Sequence, residues 1–198
     1  MIGNLILDLH AHDCLKFGAF RLKSGIISPV YVDLRPVVSF PRLLRAVARE
    51  LLTLVEPLEF DLIAGLPYAG LPLAVAMGLE GDLRGVYPRR ERKTHGTGHD
   101  VEGSFLEGQR VVVVDDVITN GRSKLEGIDA LKSVGLIVRD VAVFLDREQG
   151  GADILAQEGY ALHSVIKFRP ALEILRDAGA ITAEQYETTS RFLEESQF

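Results

Sequence analysis

Two adjacent carboxylates, Asp115 and Asp116, directly follow a run of four valines, and small and hydroxyl-bearing residues come soon after them. The apolar run predicts a buried strand over residues 110–115, which brings both acids to the edge of a sheet. The helix predicted over residues 121–134 turns its electropositive N-terminus towards the same place, where it attracts anions. These residues indicate a site for a ligand with sugar hydroxyls and phosphate, together with a divalent metal.

The alternative for this segment is an acidic pair that begins a turn and caps the next helix. Adjacent carboxylates at the mouth of an apolar strand repel each other unless a cation or hydroxyl donors lie nearby, which favours the binding site. Residues 119–123 supply hydroxyl, backbone and guanidinium donors, and Gly121 lets the backbone approach a phosphate closely. The segment matches neither the P-loop pattern nor the dinucleotide-binding pattern.

Four other segments carry residue types that suit a phosphorylated or anionic ligand. Residues 65–70 form a second strand–turn–helix junction with a glycine at each end, and residues 88–103 form a long loop whose first half holds four basic residues and one acidic residue. Lys23 lies at a predicted hairpin tip, and Arg147 follows a predicted strand, where its planar guanidinium can bind an anion. The structural alternatives are an ordinary turn, a solvated loop, an exposed lysine and a salt bridge between Arg147 and the preceding aspartate.

The apolar pattern along the chain alternates between helical and strand-like segments. Helical spacing runs over residues 41–55, and nearly continuous apolar segments at 61–65 and 138–145 are typical of strands covered on both faces. Such alternation predicts right-handed crossovers and a mostly parallel sheet. Ligands of such sheets bind beyond the carboxyl ends of the strands, where the segments described above are found.

We expect a single domain over residues 1–198, because this length fits one domain and no linker or repeat interrupts the sequence. Within it, residues 1–35 would form a small N-terminal hood that contains a helix over residues 4–16 and two short strands. Residues 60–168 would form a five-stranded α/β core, and residues 88–103 would form a mobile catalytic loop that projects from it.

The composition is that of an ordinary globular protein, with 47% hydrophobic and 25% charged residues. A net charge of −6 argues against a general nucleic-acid-binding surface. No segment approaches the roughly 20 apolar residues of a membrane helix, and the first residues lack the basic start and apolar stretch of a signal peptide. The single cysteine, Cys14, is expected to be a small buried residue of the first helix and fits a reducing compartment. We therefore expect a cytoplasmic protein without nucleic-acid or membrane partners.

Several of these segments together resemble a known family. The run from Val113 to Gly121 closely resembles the phosphoribosyl-pyrophosphate signature of the type I phosphoribosyltransferases. Four further segments resemble the orotate phosphoribosyltransferases in particular, and they are more similar to the orotate domain of bifunctional UMP synthases than to many stand-alone bacterial enzymes: residues 17–25, 28–31, 89–96 and 145–151. A chain of 198 residues does not hold a second barrel domain of roughly 250 residues, so we expect no decarboxylase half here.

The resemblance implies the type I phosphoribosyltransferase fold, a mostly parallel five-stranded sheet flanked by helices. It implies an enzyme of UMP biosynthesis that uses Mg²⁺ to convert orotate and 5-phosphoribosyl 1-pyrophosphate (PRPP) to orotidine 5′-phosphate and pyrophosphate. The PRPP-binding residues that it implies are Lys23, Tyr68, Ala69, Arg89, Arg90, Lys93, His95, Asp115, Asp116, Val117, Ile118, Thr119, Asn120, Gly121, Arg122 and Ser123. The orotate-binding residues that it implies are Lys23, Tyr31, Val32, Thr119 and Arg147. The residues that it implies are catalytic are Lys93, His95, Asp115 and Asp116.

The basic loop of this family closes over the partner subunit's site, so the resemblance also implies a homodimer with shared active sites. Mg²⁺ would be held mainly by the substrate, near Asp115 and Asp116. Many bacterial members of the family carry a lysine where Ala69 stands in this sequence, so the resemblance implies no cationic role for that position. Two alternatives remain open, a purine phosphoribosyltransferase and a non-catalytic regulator that senses PRPP. The Lys23 hairpin and the Arg147 segment disfavour the first, and the net charge and the intact basic loop disfavour the second.

Overall fold

The N-terminal part of the chain forms a helix and a small separate sheet. The structure, a computed structural model, describes residues 2–21, 25–90 and 100–195. Helix α1 (Ile2–Ala11) precedes an antiparallel pair of strands, β1 (Leu15–Arg21) and β2 (Ile27–Val32). A short 3-10 helix (Arg35–Ser39) then leads into α2 (Pro41–Val55).

The main sheet is built from alternating strands and helices, as the sequence predicts. Its elements are β3 (Leu62–Gly65), α3 (Gly70–Gly81), β4 (Gly85–Pro88), β5 (Val101–Glu102), β6 (Arg110–Ile118), α4 (Arg122–Ser133), β7 (Ile137–Asp146), α5 (Gly151–Gln157) and β8 (Ala161–Lys167), followed by α6 (Phe168–Asp177) and α7 (Ala183–Glu195). The strand order is β5-β4-β3-β6-β7-β8, and only β5 pairs antiparallel with its neighbour. The predicted parallel five-stranded sheet is confirmed, and the two-residue β5 joins its edge from within the predicted long loop.

Strand β6 lies at the centre of this sheet and is covered on both faces. Its valines alternate between two apolar clusters, with Val112 and Val114 facing the cluster that contains α2 and α6, and Val111 and Val113 facing the cluster that contains α4. None of the four is more than 2% exposed. Each fully buried valine contributes roughly 1.5–3 kcal/mol, so the strand that carries the acidic pair is held firmly in place.

The first helix is shorter than predicted. The expected helix over residues 4–16 ends at Ala11, and Asp13 adopts a left-handed φ of 62° that turns the chain into β1. The prediction fails at the end of the segment because Leu15 pairs with Val32 in the small sheet. Cys14 therefore lies in the turn rather than in a helix, but it is fully buried as predicted, and burial raises the pKa of its thiol to about 11. Such a thiol is inert at neutral pH.

Within residues 2–21, 25–90 and 100–195, every helix is too short or too polar to cross a bilayer.

Candidate active site

A cleft of about 970 Å³ opens where β3 and β6 reach their carboxyl ends. The loops after these two strands form its floor, and residues from β2, β4 and α4 form its sides. Small-molecule sites typically measure about 300–1,000 Å³, so this cleft lies at the upper end of that range. Its position is the one expected for an open α/β sheet.

The first turn of α3 packs directly on β6 because residue 70 is glycine. A Cβ at Gly70 would collide with the carbonyl oxygen of Val114 and would lie 3.1 Å from the Cα of Asp115. Any side chain there would push the helix away from the strand. This close packing places the turn over residues 66–69 beside the acidic pair, so the two predicted anion-binding junctions share one cleft.

The acidic pair lies inside a strand rather than after its end. The sequence predicts a strand that ends at residue 115, but β6 continues to Ile118, so the predicted boundary is wrong. The extension forms because β7 runs alongside to Asp146, where Val117 pairs with Leu145 and Ile118 pairs with Asp146. Strand geometry then points successive side chains to opposite faces, so Asp115 and Asp116 have different surroundings.

Asp115 is buried, and both of its carboxylate oxygens are engaged. Oδ1 accepts the backbone N–H of Asp116 at 2.9 Å. Oδ2 lies 2.6 Å from the ammonium of Lys124, which also donates to the carbonyl oxygen of Val117 at 2.7 Å. The side chains of Asp115 and Lys124 are 10% and 7% exposed, so this ion pair is largely removed from water. An ion pair in such surroundings fixes both side chains in one arrangement.

Asp116 is only partly buried and faces the cleft. Its Oδ1 accepts the backbone N–H of Val117 at 2.7 Å. Burial and the neighbouring Asp115 charge raise the pKa of this carboxyl, Lys124 partly offsets them, and the pKa is about 7 as a result. The carboxyl can therefore gain or lose a proton near neutral pH, in contrast to an ordinary aspartate.

The loop after β6 and the start of α4 form an anion-binding corner. Gly121 precedes the helix with a φ of 73°, a left-handed conformation that glycine adopts without strain, and it has no side chain to cap the helix. The side-chain oxygen of Asn120 accepts the N–H of Arg122 at 3.3 Å. Thr119, Asn120, Gly121 and Ser123 all line the cleft. The helix N-terminus thus faces the cleft with the polarity that attracts a phosphate.

The turn after β3 lies under part of the predicted basic loop. Its Pro67–Tyr68 peptide bond is cis, and the Tyr68 ring is 58% exposed. The guanidinium of Arg90 lies over that ring, 5.1 Å from its centroid, in a cation–π contact. Arg89 instead pairs with Glu102 of β5 at 2.7 Å. The described start of the basic loop therefore brings at least one cation over the predicted pyrophosphate turn.

Arg147 is a buried cation beside the anion-binding corner. Its backbone N–H donates to the carbonyl oxygen of Ile118 at 3.0 Å, which holds it next to the end of β6. The residue is 8% exposed, lines the cleft, and its Nε and Nη2 find no hydrogen-bond partner in the described structure. Burial lowers the pKa of this guanidinium. The alternative salt bridge with Asp146 is not formed, since the Asp146 Oδ1 accepts the backbone N–H of Glu148 at 2.8 Å.

Asp33, Arg35 and Lys124 line the cleft but were not singled out from the sequence. Asp33 and Arg35 follow β2, and the guanidinium of Arg35 forms a two-pronged pair with Asp33 at 2.7 and 2.6 Å and donates to the Tyr31 hydroxyl at 3.1 Å. The hydrogen bond to Asp33 raises the pKa of Arg35. The spacing of Asp33 and Arg35 directly after a predicted strand was the available signal. Lys124 gave none, because a lysine in a first helical turn is usually solvated.

The structure brings most of the predicted site residues together. Those that line the cleft are Val32, Tyr68, Ala69, Arg89, Arg90, Asp115, Asp116, Val117, Thr119, Asn120, Gly121, Ser123 and Arg147. Tyr31, Ile118 and Arg122 are not in its walls, and the Ile118 side chain is fully buried in the core. Lys23, Lys93 and His95 lie outside the described residues.

The described residues do not form a metal centre of their own. Across the three described stretches, no group of three or more histidine, cysteine, aspartate or glutamate side chains is placed to hold a metal ion. The acidic pair is a poor candidate as well, because Asp115 already binds an ammonium and a backbone N–H through its two oxygens. A divalent ion held by both carboxylates would have to displace Lys124.

Comparison with known proteins gives consistent matches. Residues 39–160 match the model of the phosphoribosyl transferase domain. Orotate phosphoribosyltransferase of Pyrobaculum islandicum is 43% identical over 180 residues, which cover 90% of this chain and 92% of that protein. The bifunctional enzyme PyrF/PyrE of Nostoc sp. is 43% identical over 185 residues, covering 93% of this chain and 39% of that protein.

A solved structure gives the same result. The structure of Leishmania donovani UMP synthase superposes with a TM-score of 0.91 at 39% sequence identity, covering 98% of this chain and 42% of that chain. This chain therefore spans about two fifths of the length of these larger relatives, and nearly all of the length of the Pyrobaculum protein.

Proposed function

Because the chain belongs to the phosphoribosyl transferase family, and within it to the orotate phosphoribosyltransferases, we propose that it transfers the phosphoribosyl group of PRPP to orotate. The products are orotidine 5′-phosphate and pyrophosphate, in the biosynthesis of UMP. The choice of orotate rests on Arg147, which lies beside the anion-binding corner. Its guanidinium is buried, and two of its nitrogens make no hydrogen bond in the described structure. A buried cation of this kind favours an anionic partner such as the orotate carboxylate.

The cleft residues divide between the parts of PRPP. Residues 119–123 and the N-terminus of α4 suit the 5′-phosphate, and Asp115 and Asp116 suit the ribose hydroxyls as hydrogen-bond acceptors. The turn with Tyr68 and Ala69 suits the pyrophosphate through its backbone, since Ala69 has no charged group. Arg90, which already lies over Tyr68, supplies a positive charge to that end of the cleft.

For orotate, the residues at the ends of two strands converge. Arg147 and Thr119 are neighbours because the Arg147 N–H is bonded to the carbonyl of Ile118. Val32 lies across the cleft at the end of β2, and Tyr31 is linked to the cleft through its hydrogen bond with Arg35. Lys23, Lys93 and His95 complete the proposed site from outside the described residues.

The chemistry follows from the charges. Breaking the bond between the anomeric carbon and pyrophosphate leaves positive charge on the ribose and negative charge on the leaving group. Carboxylates beside the ribose stabilise its positive charge. The negative charge on the leaving pyrophosphate is stabilised by Arg90, Lys23, Lys93 and a neighbour's Arg89. His95 donates a proton or a hydrogen bond to the leaving group. Orotate N1 is acidic enough to react without a strong base in the cleft.

Magnesium enters this account with the substrate. The described carboxylates do not fit a resident divalent ion, since the Lys124 ammonium already lies against Asp115. We therefore assign Mg²⁺ to the PRPP complex, where it neutralises charge on the pyrophosphate.

We also propose a homodimer in which the loop with Arg89, Arg90, Lys93 and His95 reaches the neighbour's site. Helix α3 supports this, because it exposes an apolar face: Val75 and Leu79 lie one turn apart and are 62% and 83% exposed. An unpartnered apolar stripe of this kind is typical of a subunit contact. In this proposal the protein is cytoplasmic, residues 1–35 cover the cleft as a hood, residues 60–168 form the core, and residues 88–103 form the catalytic loop.

Identification of the nucleotide product tests this function against its alternatives. The protein is incubated with PRPP and Mg²⁺ and with orotate, adenine, guanine or hypoxanthine in parallel, and the nucleotides are separated by chromatography. We expect orotidine 5′-phosphate and an equal amount of pyrophosphate in the reaction with orotate, and no nucleotide in the reactions with the three purines. A purine nucleotide would instead indicate a purine phosphoribosyltransferase. Absence of any product from the folded protein, together with a shift of nucleic acid on a gel, would indicate a regulator.

A further inference from the structure

Lys124 is a buried lysine whose position the proposed reaction does not explain. It lies in the first turn of α4, where the helix dipole disfavours a positive charge, and it is 6% exposed. Lysines are almost never buried to this extent unless they are paired. Its burial thus reflects a specific contact within the cleft.

The contact is with the acidic pair. The Lys124 ammonium lies 2.6 Å from Oδ2 of Asp115 and 2.7 Å from the carbonyl oxygen of Val117. It therefore contacts the residues on both sides of Asp116. The other oxygen of Asp115 accepts the N–H of Asp116. The ammonium therefore already supplies a positive charge between the Asp115 carboxylate and the Val117 carbonyl oxygen.

We propose that Lys124 is a built-in counter-cation that keeps free divalent ions from binding the acidic pair and holds Asp115 ready for the ribose. In this arrangement Asp115 is neutralised by the protein itself, and Asp116 keeps its place in the cleft wall. The metal then arrives with PRPP rather than before it. The part that concerns ribose rests on the proposed function, whereas the exclusion of metal rests only on the contacts of Lys124.

The charge balance gives the direction of the effect. Asp115, Asp116 and Lys124 together carry one negative charge when both carboxyls are ionised, and without the lysine they carry two. A doubly negative group in a partly buried cleft attracts a divalent cation and repels a polyanionic substrate. Removing the lysine charge should therefore create a metal site and weaken PRPP binding, with little effect on orotate.

The test is titration of Mn²⁺ into the ligand-free protein, followed by the loss of the free-ion electron paramagnetic resonance signal. We expect no stoichiometric site below millimolar Mn²⁺ in the unaltered protein or in Lys124→Arg, which keeps the charge. We expect Lys124→Gln and Lys124→Met each to gain one site at least 10-fold tighter. Lys132→Gln is the matched control on the same helix, because Lys132 is exposed and its ammonium contacts Tyr160 rather than the acidic pair.

A double variant separates charge from packing. Lys124→Met with Asp115→Asn restores the single negative charge, so it should lose the Mn²⁺ site that Lys124→Met alone gains. If Lys124→Met does not fold without metal, 10 mM Mg²⁺ should restore its cooperative unfolding, and absence of rescue counts against the proposal. A stoichiometric Mn²⁺ site in the unaltered protein, or no gain in either neutral variant, would overturn it.

Kinetics provide the second measurement. At saturating Mg²⁺, Lys124→Gln should raise the KM for PRPP about 10-fold or more and change the KM for orotate less than 2-fold, and Lys124→Arg should recover most of the loss. An equal rise in both KM values would show a general distortion of the cleft and refute the positioning role. If the unaltered protein proves inactive with orotate, the proposed function fails while the Mn²⁺ titration still decides the role of Lys124.

Discussion

Replacing Arg147 with methionine should weaken orotate binding and stabilise the ligand-free protein at the same time. The two effects have opposite signs because the same guanidinium is unsatisfied in the free cleft and satisfied by a ligand. Its Nε and Nη2 make no hydrogen bond within the described structure, and the residue is only 8% exposed. Methionine keeps much of the length of the side chain and removes the charge.

The size of each effect follows from the two nitrogens. Each of two hydrogen bonds from a guanidinium to a carboxylate contributes about 1.5–3 kcal/mol. We expect their loss to cost about 3–4 kcal/mol of orotate binding in total. At about 1.4 kcal/mol per factor of ten, the KM for orotate should rise roughly 10²- to 10³-fold. Removing buried donors that lack partners should raise the free energy of unfolding by about 1–3 kcal/mol.

Steady-state kinetics with varied orotate and urea unfolding of the ligand-free protein measure the two effects. Arg139→Met is the matched control, because Arg139 lies on strand β7, which Arg147 directly follows, but it is exposed and does not line the cleft. It should change neither quantity appreciably. The reasoning is refuted if Arg147→Met binds orotate as well as the unaltered protein does. It is also refuted if the variant loses stability as though a structural ion pair had been broken.

Three further predictions concern the packing, the acidic pair and the loop. Gly70→Ala should lower the unfolding midpoint and the catalytic rate together, since its Cβ collides with the Val114 carbonyl, and a normal melting curve would contradict the packing argument. Asp116 has a folded-state pKa of about 7, above its unfolded value of 3.8, so the folded form holds the extra proton and stability falls as pH rises from about 4 to 7. Between pH 4 and 7, the free energy of unfolding of Asp116→Asn should rise relative to that of the unaltered protein by at most about 4 kcal/mol, as measured by urea titrations. A difference that does not change with pH would disprove the raised pKa. Lys93→Ala should lower turnover far more than it weakens orotate binding, and unchanged turnover in a folded variant would exclude the loop from catalysis.

Much of the fold can be predicted from the sequence because burial is encoded locally. The helix over residues 41–55 is observed as Pro41–Val55, since its apolar residues repeat at helical spacing behind a proline. The apolar runs that become β3, β6 and β7 were placed to within a few residues at each end. These segments need no knowledge of their neighbours to be recognised.

The misplaced boundaries depend on partners that are distant in sequence. Strand β6 continues to Ile118 because β7 pairs with it as far as Asp146, whereas in the sequence the acidic pair interrupts the apolar run. The first helix ends early because Leu15 pairs with Val32. Propensity alone cannot locate an end that a neighbouring strand determines.

The site could be predicted where residue type and function coincide. The acidic pair, the Gly121 loop and Arg147 meet in one cleft because parallel strands end at one edge of the sheet. Lys124 could not be found, because its burial arises only when α4 packs beside the extended β6. Arg35 was not predicted although it follows a predicted strand, because its place in the cleft depends on how the small N-terminal sheet meets the main sheet.

The central claim is that this cleft joins orotate to the phosphoribosyl group of PRPP. The most direct measurement follows the absorbance band of orotate in the presence of the protein, with PRPP and Mg²⁺ supplied together or withheld one at a time. The account predicts that orotate absorbance falls only when protein, PRPP and Mg²⁺ are all present. A folded protein that leaves the band unchanged under those conditions, or that lowers it without PRPP, would contradict the account.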